Sequence, residues 1–154
     1  NFAAQTATSA SGSQANEELL NHYEQGTFTA GITDNSGRAA TVSVANGFYT
    51  RIGAMVHIHG YVVITSLGSM NGLVLFTGLP FASVNVTNNF AAIAISQSQD
   101  LNITAGQNLA MTTSPASSAC SVRIFDETVG TSDLTHTQFS SDGGFVFGGS
   151  YHAV

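Results

Sequence analysis

The sequence contains no lysine, no tryptophan and a single cysteine, and only 8% of its 154 residues are charged. Three arginines, Arg38, Arg51 and Arg123, carry every formal positive charge, and the net charge is -6. Nucleic acid is excluded as a partner, because displacing counterions from phosphates takes a basic stripe. An anionic membrane surface would repel the chain for the same reason. The lone Cys120 excludes an intramolecular disulfide and a thiolate zinc ribbon. It sits in the small-residue run 117–121 with no cation nearby to lower its pKa, so it reads as a small buried apolar side chain. Apolar runs such as Gly60 to Thr65 fall far short of the ~20 residues a membrane-spanning helix needs, so no membrane insertion is expected. The first residues lack the basic and apolar regions of a signal peptide. The chain opens on Asn1 rather than Met, which suits a processed product or a fragment.

What remains is a neutral polar surface over an apolar pattern. A domain of this length buries roughly 70% of the surface its unfolded chain exposes and needs no staple. Residues 1–14 are a low-complexity run of Ala, Ser, Thr, Gly and Gln with Phe2 as its one anchor, which predicts an arm that orders only against a partner. Asn16 before Glu17-Glu18-Leu19-Leu20 predicts a short capped helix. The expected division is an arm over 1–22 and a β-domain over 23–154. From Thr27 onward, short runs of Val, Ile, Phe, Tyr and Thr are separated by Gly, Asn, Ser and Asp. Strands are predicted at 41–44, 55–65, 73–77, 90–96, 101–104, 109–113, 121–125 and 145–151. Hairpin turns are predicted at 52–54 and 105–108, and Pro80 should break a strand. In 55–65, Val56, Ile58, Gly60, Val62 and Ile64 share one face, while His57, His59, Tyr61 and Val63 share the other. This spacing, with no internal repeat, indicates an all-β antiparallel β-sandwich of jelly-roll type with a short N-terminal arm or helix.

Residues with chemical potential are few. The nine carboxylates fall mostly in turns rich in glycine and serine, where Asp caps backbone amides. No Gly-x-Ser-x-Gly elbow or phosphate-cradling loop leads into a helix, and Gly143-Gly144 and Gly148-Gly149 flank the terminal strand. The sequence therefore points away from an enzyme and implies no cofactor. His57 and His59 project from one strand face beside Tyr61. Shared among three chains on an axis they would offer six nitrogens to a transition metal; otherwise they are a polar-face or interface pair. His22, His136 and His152 have no ligand spacing. Asn85-Val86-Thr87 and Asn102-Ile103-Thr104 match the glycosylation acceptor pattern, which an Asn- and Thr-rich chain meets by chance. Without tryptophan, sugar stacking would fall to Tyr49, Tyr61 and Tyr151, each of which also suits a strand face.

Five pieces stand in order along the chain. Tyr23-Glu24-Gln25-Gly26-Thr27-Phe28 comes first, then Gly47-Phe48-Tyr49-Thr50-Arg51-Ile52-Gly53 and Val56-His57-Ile58-His59-Gly60. Gly78-Leu79-Pro80-Phe81 and Gly149-Ser150-Tyr151-His152-Ala153-Val154 follow. Together they resemble the pattern YEEGTF…GxYTKIG…VxVxG…GLPF…SGxYxV of C-terminal domains in tail-fibre, tail-spike and other virion-appendage proteins of tailed bacteriophages. The resemblance spans 23–154, with Arg51 where Lys is usual. It implies a jelly-roll-like sandwich on the virion surface, forming a homotrimer beside other virion proteins and attaching to bacterial surface polysaccharide. The alternative it implies is a purely structural element: a capsid decoration, trimerisation cap or fibre-assembly piece without a ligand.

Overall fold

The computed structural model describes residues 23–154. The expected arm over 1–22, with its helix start at Asn16, lies outside the described residues. Ten strands and one helical turn follow in order. They are β1 (Tyr23–Thr29), β2 (Gly31–Asp34), β3 (Thr41–Ile52), β4 (Met55–Ser66), β5 (Val74–Thr77), β6 (Ala92–Gln99), β7 (Asn108–Thr113), β8 (Ala119–Asp126), β9 (Gly130–Asp133), α1 (His136–Phe139) and β10 (Gly144–His152). The β3–β4 hairpin turns at Gly53, whose φ of 59° is the left-handed conformation that glycine adopts without a Cβ penalty.

The strands join antiparallel in the order β1-β3-β4-β10-β6-β7-β8-β5-β2, with β9 added to β8. β1 and β2 are separated only by Ala30, yet the first pairs with β3 and the second with β5. The two ends of the sheet are therefore one stretch of chain, and the sheet returns on itself. At the seam the Ala30 N–H donates to the Ala45 carbonyl at 3.3 Å, and the Ala40 N–H to Ile32 at 2.9 Å. The outcome is an antiparallel sheet nearly closed into a barrel-like sandwich, the all-β class the patterning predicts.

Alternation decides what faces inward. In β4, Val56, Ile58, Val62 and Ile64 are buried, while His57 and His59 are exposed. Phe76 of β5 meets Phe147 of β10 with ring centroids 4.8 Å apart, and Phe139 of α1 meets Phe145 edge-on at 5.9 Å. β5 and β10 are far apart in strand order, so these rings mark two walls facing across one core. Each fully buried phenylalanine contributes roughly 1.5–3 kcal/mol of transfer free energy.

Two glycines make room for aromatic rings on the inner side of one wall. Phe28, Gly47, Gly60 and Phe147 occupy one register row across β1, β3, β4 and β10. A Cβ on Gly47 would lie 2.6 Å from the Phe28 ring, and one on Gly60 would lie 2.6 Å from Phe147 and overlap the Asn46 carbonyl oxygen. The two rings, 6.2 Å apart, thus occupy the space the glycines leave.

Several expectations are corrected. Residues 101–104 form no strand: the Asn102 N–H donates to Gln138 of the α1 turn, and the Thr104 N–H to the Gln107 side chain. Leu101 and Ile103 pack on the core from this loop, which gives them a strand-like composition without a strand neighbour. Gly148 and Gly149 lie within β10 and do not flank it. β1 begins at Tyr23, ahead of Thr27, and the four-residue β2 and β9 are unannounced by any apolar run.

Candidate functional site

The three tyrosines do not converge. Tyr151 is 2% exposed and belongs to the core. Its hydroxyl donates to the Phe81 carbonyl at 2.9 Å and accepts from the Phe81 N–H at 3.3 Å, and burial pushes its pKa up to about 12. Buried in this way it offers no face to a sugar, which corrects the expectation for it. Tyr49 also points to the inner side, where its ring meets Phe81 edge-on at 5.3 Å and its hydroxyl donates to Glu24. That hydrogen bond, with burial, raises the Tyr49 pKa. Tyr61 alone faces outward, half-buried, its hydroxyl donating to Gln99.

The outward face of β1, β3, β4 and β10 is laid out in register rows. Tyr23, Ile52, Met55 and His152 form the row nearest the β3–β4 turn. Next come Gln25, Thr50, His57 and Ser150, then Thr27, Phe48, His59 and Gly148, then Thr29, Asn46, Tyr61 and Val146. Tyr23, Phe48, Ile52 and Met55 are large apolar side chains between 46% and 58% exposed, so this face carries uncovered hydrophobic surface. No Asp, Glu, Lys or Arg stands in these rows. His59 stacks on Phe48 at 5.3 Å, and His57 shares a 3.1 Å hydrogen bond with Ser150. The His57 and His59 rings are 6.2 Å apart, and no group of three or more His, Cys, Asp or Glu suited to a metal occurs among the described residues.

A second surface opens where two strands part. β6 pairs with β7 only from Ala92 to Ala94, opposite Thr112 to Ala110, although β6 continues to Gln99. On its other side β6 changes register between Ile95 and Gln97, leaving Ser96 as the extra residue of a bulge. The parted strands and the 103–107 loop enclose a cleft of about 90 Å³. Its walls are Ser96, Gln97, Ser98, Gln107 and Asn108, with Ile95, Ile103 and Leu109 as its apolar lining. Gln107 is held by the Thr104 N–H and by Asp126, 3.1 Å from its amide nitrogen. Ser96, Gln97, Ser98 and Asn108 are exposed and make no side-chain hydrogen bond among the described residues, so their donors and acceptors face solvent. No residue spacing announces this cleft, because it arises from where a strand pairing stops.

All three cations are engaged elsewhere. Arg38 bonds Asp34 at 3.1 Å, and Arg123 bonds Asp133 at 2.6 Å. Arg51 lies 4.6 Å over the Phe81 ring and donates to the Gly53 and Val154 carbonyls. Neither surface therefore presents a guanidinium to an anionic ligand.

The fold has a known counterpart. The chain superposes on part of the Dettilon tailspike protein with a TM-score of 0.67 and 15% sequence identity, over 84% of this chain and 24% of that one. At this identity the likeness is one of fold, and the chain spans about a quarter of the tailspike's length. No protein-family model and no curated protein sequence matches the chain. No helix among the described residues is long and apolar enough to cross a membrane.

Proposed function

We propose that the chain is a non-enzymatic domain of a bacteriophage virion appendage, a tail fibre or spike, that recognises bacterial surface polysaccharide as a homotrimer. The cleft between β6 and β7 carries this reading. Its polar walls are hydroxyls and amides without charge, the donor and acceptor mix that neutral sugar hydroxyls satisfy. Gln97 of the cleft shares a register row with Tyr61 two strands away, roughly 10 Å at the usual strand spacing, so a second sugar could rest against that ring. The shared tailspike fold and the ordered motifs over 23–154 support the virion setting. A trimer would multiply a weak single-site affinity through avidity.

The test is a glycan array probed with the full chain, with its mass measured in solution. We expect binding to neutral surface oligosaccharides, lost in Ser98→Trp, which fills the cleft, and reduced in Asn108→Ala. Unchanged binding in both variants would remove the cleft from the reading. Cleavage of the polysaccharide would overturn the non-enzymatic assignment, and a monomeric mass would overturn the trimer. The exposed apolar rows of the outer face favour a second reading, a purely structural virion element that packs against a neighbour. Absence of glycan binding with retention of trimer mass would select it.

A further inference from the structure

Two asparagines of the described chain precede glycine, Asn46-Gly47 and Asn71-Gly72, and the fold treats them oppositely. An asparagine side chain before glycine is open to attack by the next backbone nitrogen, because glycine puts no Cβ beside that nitrogen. Asn46 and Gly47 lie inside β3, paired with β1 on one side and β4 on the other, so the ladder holds both residues extended. Asn71 and Gly72 lie in the loop between β4 and β5. Asn71 is exposed, and its side-chain nitrogen and the Gly72 N–H donate to nothing among the described residues. Its Oδ1 accepts from Nη1 of Arg38 at 2.5 Å, and its own N–H donates to the buried Asp34 at 3.0 Å. Packing also keeps residue 72 a glycine. A Cβ there would lie 2.1 Å from Asn35 Oδ1, which accepts the Leu73 N–H at 3.2 Å.

We propose that Asn71 is a self-modification site, at which Arg38 promotes loss of the side-chain amide. The Gly72 nitrogen gives its proton to water or hydroxide and bonds to Asn71 Cγ. The carbonyl electron pair moves onto Oδ1, where the guanidinium already donates, as in an oxyanion hole. As the pair returns, the Cγ–Nδ2 bond breaks and the nitrogen takes a proton from solvent and leaves as ammonia. Water then opens the cyclic imide at either carbonyl. One opening gives aspartate at 71, and the other gives isoaspartate, with the main chain routed through the former side chain. In sum a water is consumed and an ammonia released, with no oxidant or cofactor. Either product sets a new carboxylate beside Arg38. The isoaspartate form also lengthens the chain between the Asn71 N–H, which holds Asp34, and the Gly72 carbonyl, which accepts the His136 N–H at 3.0 Å. It therefore loosens the loop around Asp34. The proposal is independent of glycan binding.

The two Asn-Gly pairs supply an internal control, read by peptide mapping of the full chain aged in mildly alkaline buffer with and without urea. In urea both pairs are unfolded and should convert at similar rates. In the native chain we expect Asn71 to convert roughly tenfold or more faster than Asn46, which must wait for the sheet to open, and no slower than in urea. Arg38→Lys keeps a cation for Asp34 but gives up the fixed guanidinium donor on Oδ1, so it should slow Asn71 several-fold and leave Asn46 unchanged. Equal native rates at the two asparagines, or a slower Asn71 in the native chain than in urea, would overturn the site. An unchanged Asn71 rate in Arg38→Lys would overturn the role of Arg38. The Asn46 rate is also the folding check: if it rises in the variant, the comparison of native chain with urea decides alone.

Discussion

A single methyl group at Gly60 would overlap backbone, which cannot swing aside, as well as a packed ring. The blocking atoms are the Asn46 carbonyl and the Phe147 ring, so relief would require β3 and β4 to separate. Gly60→Ala should therefore cost at least the ~1–3 kcal/mol of ordinary overpacking, measured as a shift in the denaturant midpoint. Gly47→Ala should be milder, because the atoms it meets belong to the partly buried Phe28 ring at the sheet edge. Tyr151 is the second informative residue. Its hydroxyl satisfies both backbone groups of Phe81, so Tyr151→Phe keeps the ring packing and strands a donor and an acceptor together. We expect a loss of about 1–3 kcal/mol in the same measurement. A loss near zero would mean that solvent reaches Phe81 when the hydroxyl is removed.

Loops in this fold are organised by carboxylates, and the β2–β3 loop shows how. Asp34 ends β2 with a fully buried side chain, and burial by itself would raise its pKa. The N–H groups of Asn71, Arg38 and Ser36 and the Arg38 guanidinium outweigh burial and hold the carboxyl well below the usual carboxylate range. The native state thus favours the ionised form more than the unfolded chain does. Its contribution is fully present above the unfolded pKa of ~4 and fades as pH falls through the lower folded value. Asp126 acts alike at the β8–β9 turn, its pKa lowered by the Thr128 N–H, Gln107 and the Val129 N–H. Thermal scans should show Tm falling as pH drops below ~4, with a shallower fall in Asp34→Asn, whose Tm is already lower at neutral pH. Equal slopes would sink this account. The same elements show what sequence could reveal. Period-two alternation places the inward and outward faces of β4 correctly, because one face is buried and one wet. It fails at 101–104, where a loop buries Leu101 and Ile103 against the core, and at β9, whose Gly-Thr-Ser-Asp has no apolar residue and pairs only because β8 offers an edge. The outward His57, His59 and Tyr61 were legible for the same reason as β4. The β6–β7 cleft was not, since it opens where the β6–β7 pairing stops at Ala94, and no local pattern encodes that stop.

At the scale of the molecule, the last strand sits in the middle of the sheet. β10 pairs with β4 on one side and β6 on the other, and it supplies Phe145, Phe147 and Tyr151 to the core. The sheet cannot close until the C-terminal residues are in place, so folding waits on contacts between distant parts of the chain and should be slow, on the millisecond-to-second scale. The closed sheet also leaves little room for partial opening, and Cys120 can report on that. The thiol lies on β8 between β5 and β7, with no exposure, and burial pushes its pKa up to about 12. At pH 8 only about one native thiol in ten thousand would be ionised even if reagent could reach it, so labelling must go through opening of the sheet. If β10 locks the sheet as one unit, labelling by an aromatic disulfide reagent should be single-exponential. Its denaturant dependence should match that of global unfolding followed by circular dichroism. Labelling much faster than unfolding, with little denaturant dependence, would instead place a local opening at the β5–β8 wall. The seam at Ala30 and Ala40 would then be the point where it starts, because there the two ends of the sheet are held by few backbone hydrogen bonds.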